Sequence, residues 1–237
     1  MLEHPLRLRL VAAALAALAG YVDAVGFLRI GGFFVSFMSG NSTRLSLGLV
    51  DAPAQAVLAG GLIATFLAGV IAGFLIAHGL PRRVRLSVMA AVALLLAFAG
   101  VADVAGFAAL AAFVAAFAMG AENAACAGGR GMPVGLTYMT GTLVKLGEGI
   151  AAALLGGSRT AWWPYAVHWL ALVLGAVLGS LADRAIGAFA LLLAAAFAGV
   201  LACVLARTPP RLRTWHRCFP SRRCARSRCT HRPAART

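Results

Sequence analysis

The sequence predicts an all-α integral membrane protein of two similar halves, with six spanning helices and two polar segments that are interrupted or re-entrant. Three observations carry that expectation. The chain is 62% hydrophobic and only 12% charged, with a mean hydropathy of +0.89. Several apolar stretches reach the about 20 residues needed to cross a hydrocarbon core about 30 Å thick. Two polar, glycine-containing segments recur, with Met38 and Met139 101 residues apart. A soluble domain is about half apolar and a quarter charged, and its helices carry polar stripes. Ser87–Ala102 carries none.

Eight segments follow one another. Leu6–Phe27 is rich in Ala and Leu behind Arg7 and Arg9. It resembles a secretory signal, but a block within it recurs later, so it is read as part of the folded unit and not cleaved. Phe33–Val50 is different in kind, carrying Ser36, Ser39, Asn41, Ser42, Thr43, Arg44 and Ser46. Ala54–His78 and Leu86–Ala102 are apolar and flank the basic run Arg82-Arg83-Val84-Arg85. In the second half, Phe107–Cys126 is apolar until Glu122 and Asn123. Gly135–Gly156 is again polar, with Thr137, Thr140, Thr142, Lys145 and Glu148. Trp163–Leu181 opens beside Trp162, as helices do at a membrane interface. Ala188–Leu205 is the last apolar run, and Cys126 and Cys203 within the apolar stretches read as small buried hydrophobes.

The halves, 1–104 and 105–206, match where matches are informative. Gly20-Tyr21-Val22-Asp23-Ala24 corresponds to Gly120-Ala121-Glu122-Asn123-Ala124. Ser39, Gly40, Arg44 and Gly48 correspond to Thr140, Gly141, Lys145 and Gly149. Charge placement then bears on topology. If all eight segments crossed from a cytoplasmic N-terminus, Arg82, Arg83 and Arg85 would lie outside, against the positive-inside tendency. If the two polar segments dip in and return, Arg7, Arg9, Arg82, Arg83, Arg85, Arg130, Arg159 and the tail all lie inside. Six crossings with both termini cytoplasmic are therefore expected. Three crossings per half make the halves inverted relative to each other, a common transporter design.

The net charge of +14 belongs mostly to residues 207–237, which hold ten arginines and no acid. A basic segment after a last spanning helix suits topology and anionic-lipid contact, and no folded nucleic-acid module accompanies it. The expected partners are membrane lipids, with anionic lipid at this tail, and no nucleic acid. Its prolines and mutually repelling arginines predict disorder. Cys218, Cys224 and Cys229 there lack the paired spacing of a zinc site, so neither metal nor cofactor is expected.

Gly20–Ala24 with Phe27, Met38-Ser39-Gly40-Asn41, Gly120 with Asn123-Ala124, and Thr140-Gly141-Thr142 together resemble the YoaK-like family of bacterial membrane proteins, a domain of unknown function. The resemblance spans about residues 6–206. This chain has Ser39 where the family pattern usually has Thr, and Glu122 where Gln is more usual. The resemblance implies a multi-pass inner-membrane protein and brings no substrate or reaction.

Polar groups at membrane depth are costly towards lipid and mark candidate pathways. Asp23 and Glu122 are candidates for proton or cation coupling. Ser39, Asn41, Asn123, Thr140 and Thr142 are candidates for solute contact, and Lys145 for pairing with a carboxylate or an anionic group. The alternative is that the small and hydroxyl residues only pack helices. No His-Glu-x-x-His, Gly-x-Ser-x-Gly or phosphate-binding loop occurs, so no enzyme is expected. The expected function is a secondary transporter or channel for a small solute or ion, with a non-transporting scaffold as the alternative.

Overall fold

The computed structural model describes residues 6–80, 84–126 and 138–206. Arg82, Arg83, Arg130 and the arginine-rich tail lie outside the described residues. Among those described there are eight α-helices and no strand: α1 Leu6–Arg29, α2 Met38–Asp51, α3 Pro53–Gly79, α4 Val84–Val104, α5 Ala108–Glu122, α6 Met139–Leu154, α7 Trp163–Ile186 and α8 Ala190–Ala206. A 3₁₀ turn, Asn123–Cys126, extends α5.

Five stretches are long and apolar enough to cross a membrane: Arg9–Arg29, Pro53–Gly79, Val84–Val104, Ala108–Ala125 and Trp163–Ala206. The last has 44 residues, about twice what one crossing needs. It is broken at Gly187, whose φ of +59° only glycine adopts freely, and this break separates α7 from α8. The polar helices α2 and α6 have 14 and 16 residues. At 1.5 Å per residue they are about 21 and 24 Å long, short of a hydrocarbon core about 30 Å thick.

In lipid, apolar side chains gain little by leaving the solvent, so helices associate where small residues let backbones approach. Two such seams organise this fold. On α7, Gly175 and Gly179 pack on the Ala17 and Tyr21 backbone of α1, while Gly20 of α1 packs on Leu172 and Ala176. On α3, Gly69 and Gly73 pack on the Phe117 and Ala121 backbone of α5, while Gly120 of α5 packs on Phe66 and Val70. The two seams are alike residue for residue. Numbers rise together in each, so both pairs run parallel.

The remaining contacts fix the other directions. Gly48 of α2 packs on Ala56 of α3, making an antiparallel hairpin. Gly100 of α4 meets Leu192 of α8, so α8 begins where α4 ends. Arg29 of α1 donates to Asp183 of α7 at 2.7 Å and lies 3.6 Å from Asp103 of α4. A small void beside this cluster is also lined by Ala108 and Ala111 of α5. Helices α1, α4 and α7 therefore end at one face, and α3, α5 and α8 run away from it. Cys203, expected to be buried, is exposed on α8; an apolar membrane helix has a face that lipid covers, so apolar surroundings in sequence do not imply protein contact.

The Arg29 cluster sets a stability prediction. Arg29→Met leaves Asp103, only 3% exposed, and Asp183 without their cation. Loss of one partner of a buried pair costs about 3–5 kcal/mol. Because the Arg29 side chain is 28% exposed, about 2–3 kcal/mol is expected here. Thermal unfolding in detergent should show it, with partial recovery in the swapped pair Arg29→Asp and Asp183→Arg.

Candidate functional site

After Arg29 the chain reverses through Gly31 and Gly32, whose φ values are +67° and +90°, and returns alongside α1 without forming helix until Met38. The expected polar segment Phe33–Val50 is thus part extended chain and part helix. The reason is local. The Val35 and Ser36 N–H groups donate to Asp23 Oδ1 at 2.8 and 2.7 Å, and the Ser36 hydroxyl donates to Asp23 Oδ2 at 2.5 Å. Asn41 clasps the other side: it accepts from the Phe34 N–H at 3.0 Å and donates to the Phe34 carbonyl at 2.6 Å. Backbone groups that a helix would have paired are satisfied by these two side chains, as burial demands. Asp23 lies six residues before Arg29, so the returning chain dips about 9 Å from the end of α1. From there α2 climbs back to the start of α3.

The second half presents a related arrangement. Met139, at the start of α6, lines the same cavity as Asp23 and Ser36, whereas Gly149 near its other end packs on Trp162 before α7. The first residues of both short helices therefore lie inward, and both chains run outward from there. Buried Thr142 donates to the Tyr138 carbonyl at 3.3 Å. The Asn123 amide donates to the Met119 and Gly120 carbonyls at 3.0 and 3.3 Å. Glu122 is fully buried, and neither of its carboxyl oxygens has a hydrogen-bond partner among the described residues. It lies within electrostatic reach of Asp23.

The structure thus brings together Asp23 and Asn41, through the dipping chain, with Glu122 nearby. Ser39 and Thr140 are exposed on their short helices. Lys145 is also exposed, and it pairs with Glu148 at 2.8 Å on its own helix. A cavity of about 570 Å³ lies between α1, the dipping chain, the start of α6 and α7, lined by Asp23, Ser36, Phe27, Phe34, Met139 and Ser180 among others.

Three features escape a reading of residue types. Ser36 is the hydroxyl that completes the hold on Asp23, and only its place before Met38 hints at that. Ser180 joins the cavity from a helix whose sequence carries no other polar signal at that depth. Arg29, Asp103 and Asp183 stand far apart in the sequence, and nothing in it pairs them.

A family model described as "Protein of unknown function (DUF1275)" matches residues 11–204. The chain is similar to the UPF0700 transmembrane protein RA0705 of Rhizobium meliloti (strain 1021), being 38% identical over 180 residues that cover 76% of this chain and 77% of that protein. No solved structure matches. The protein, helical and apolar through its described residues, is a membrane protein that belongs to the DUF1275 family, of which the YoaK proteins are members.

Proposed function

We propose that this protein is a secondary transporter or channel for a small solute, built from two inverted halves around the cavity beside Asp23. The observation that carries the reading is the pair of short helices, α2 and α6, that start inward beside one cavity and run outward from it. Interrupted helices whose N-termini face a shared cavity offer N–H groups and a positive dipole end to a solute. The matching glycine seams support an internal duplication, in which α1 and α3 correspond to α5 and α7. The shared face of Arg29, Asp103 and Asp183 supports six crossings, since eight crossings would put the ends of α1 and α4 on opposite sides. Both termini then lie on the cytoplasmic side of a bacterial inner membrane, with Arg9, Arg85 and Arg159 on that side and the basic tail against anionic lipid. Asp23 is the ionisable group in the cavity wall and Glu122 a buried second candidate behind it, and the cycle needs no enzymatic step.

One observation favours the scaffold alternative. The polar side chains of Asp23, Asn41 and Thr142 are all hydrogen-bonded within the fold, as pure packing elements would be. Solute uptake into proteoliposomes, with and without a proton gradient, separates the two. Flux above that of empty liposomes is expected, and a broad solute panel indistinguishable from empty liposomes would leave the scaffold. For topology, single cysteines at Arg85 and Ala206, in a background without native cysteines, are expected to label from one side only, and a cysteine at Gly31 from the other. Labelling of Arg85 and Gly31 from the same side would refute six crossings.

Glu122→Gln is isosteric, so the variant should fold. Since a buried carboxyl without partners is poised for proton exchange rather than for holding structure, the pH dependence of flux should flatten. An unaltered pH profile would remove Glu122 from the coupling role.

A further inference from the structure

We propose that the cavity beside Asp23 binds lipophilic organic cations. The inference rests on the transport reading only in sharing its cavity, and it names the class of solute. At about 570 Å³ the cavity falls within the range of small-molecule sites. Among the described residues its lining contains one ionisable side chain, Asp23, and no lysine, arginine or histidine. Asp23 accepts three hydrogen bonds, from the N–H groups of Val35 and Ser36 and the Ser36 hydroxyl. A carboxylate has about four acceptor positions, so the three bonds fix its orientation and leave it able to face a positive charge.

The rest of the wall is aromatic and aliphatic. Phe34 is central: its ring lies 5.0 Å from that of Phe27 and 5.2 Å from that of Phe37, tilted in one case and edge-on in the other. Clustered ring faces attract a cation that has lost its water, and do so most strongly where the site is dry. The protein already uses this chemistry, because the Arg44 guanidinium lies 4.9 Å from the centre of the Phe33 ring and 5.9 Å from that of Phe27.

The lining discriminates between solute classes. An inorganic ion would lose its hydration and meet one carboxylate and two serine hydroxyls in a mostly apolar wall, too few ligands for the exchange. An anion would meet the Asp23 carboxylate, and no described lining residue carries a positive charge. A neutral apolar molecule would fill the space without using the carboxylate. A bulky cation with delocalised or shielded charge uses both rings and carboxylate at little dehydration cost.

The test uses purified full-length protein in nanodiscs of zwitterionic lipid, with empty nanodiscs as background. Binding of tetraphenylphosphonium is measured by equilibrium dialysis beside tetraphenylborate, which has the same shape and the opposite charge. Saturable binding of the phosphonium, roughly tenfold or more tighter than that of the borate, is expected. Asp23→Asn keeps an acceptor for the Val35 and Ser36 N–H groups and should weaken phosphonium binding roughly tenfold. Ser180→Phe fills the cavity from α7 while leaving Asp23 and Ser36 unaltered, and should abolish binding while the protein stays monodisperse. Equal binding of the two ions, no saturable phosphonium binding, or wild-type affinity in folded Asp23→Asn each overturns the proposal. If Asp23→Asn fails to fold, the borate comparison and Ser180→Phe decide it. Flux plays no part in this assay: phosphonium binding without any flux would sink the transport reading alone, and flux of some other solute without phosphonium binding would sink this inference alone.

Discussion

Replacing Gly175 by leucine is expected to abolish recovery of folded protein, the largest effect of any single substitution in the membrane core. A Cβ at this position would fall on the Ala17 carbonyl oxygen and crowd the Ala17 Cα at 2.8 Å. Both are backbone atoms of a neighbouring helix, so no side-chain rotation relieves the overlap, and α1 and α7 must separate. Ordinary overpacking costs about 1–3 kcal/mol. Loss of a whole seam exceeds about 4 kcal/mol, a loss that single substitutions rarely reach. Gly199 on α8 supplies the control: a Cβ there meets nothing within 4 Å. Gly199→Leu should therefore be as stable as wild type or slightly more so, since leucine favours helix over glycine by somewhat under about 1 kcal/mol. Size-exclusion profiles and thermal unfolding in detergent separate the two variants. A monodisperse Gly175→Leu protein with unchanged melting would mean that α1 and α7 do not meet as described.

The same seams show how far the sequence can be read. The apolar segments, their order and the odd character of Phe33–Val50 and Gly135–Gly156 are all visible in composition, because lipid imposes length and hydropathy on whatever crosses it. Who packs on whom is not visible. Gly69 and Gly73 stand 106 residues before Gly175 and Gly179, whereas Gly20 stands 100 before Gly120 and Met38 101 before Met139. A longer connection between α6 and α7 shifts the register, so a search at one fixed spacing aligns the polar blocks and misses the glycine pairs. The small residues that make the seams are also among the commonest in the chain, and alanine or glycine matches alone are weak signals there.

The site was legible in its residues more than in its geometry. Asp23 and Asn41 declare themselves as polar groups inside an apolar chain, and that is all composition can say. Their partners are the backbone of Phe34, Val35 and the Ser36 segment, and a bond to backbone leaves no trace in residue type. A dip of non-helical chain between α1 and α2 follows from Gly31 and Gly32 only once the side chains that stabilise it are known. Lys145 shows the opposite case. Its pairing with Glu148 is an i,i+3 neighbour contact, which sequence spacing alone suggests.

Replacing Asp23 by alanine is expected to undo the dipping chain, with a loss of stability on the order of 4 kcal/mol. The alanine removes the acceptor of three hydrogen bonds at once. The Val35 and Ser36 N–H groups are then left in a buried position where neither water nor helix can satisfy them, and each buried unsatisfied group costs about 1–3 kcal/mol. Val35 itself has no solvent exposure, so the chain cannot turn outward for water without giving up its packing on Gly26. Asp23→Asn differs in kind. Its carbonyl oxygen still accepts from both N–H groups, and the Ser36 hydroxyl can rotate to accept from the amide, so about 1 kcal/mol or less should be lost. The ratio between the two variants is the informative quantity, since a purely electrostatic role for Asp23 would make alanine and asparagine equally harmful. Hydrogen exchange at Val35 and Ser36 reads the effect directly: protection should collapse in Asp23→Ala and survive in Asp23→Asn. Protection retained in Asp23→Ala would mean that Asn41 holds the dip alone through Phe34, and that Asp23 is free for the solute rather than committed to the fold.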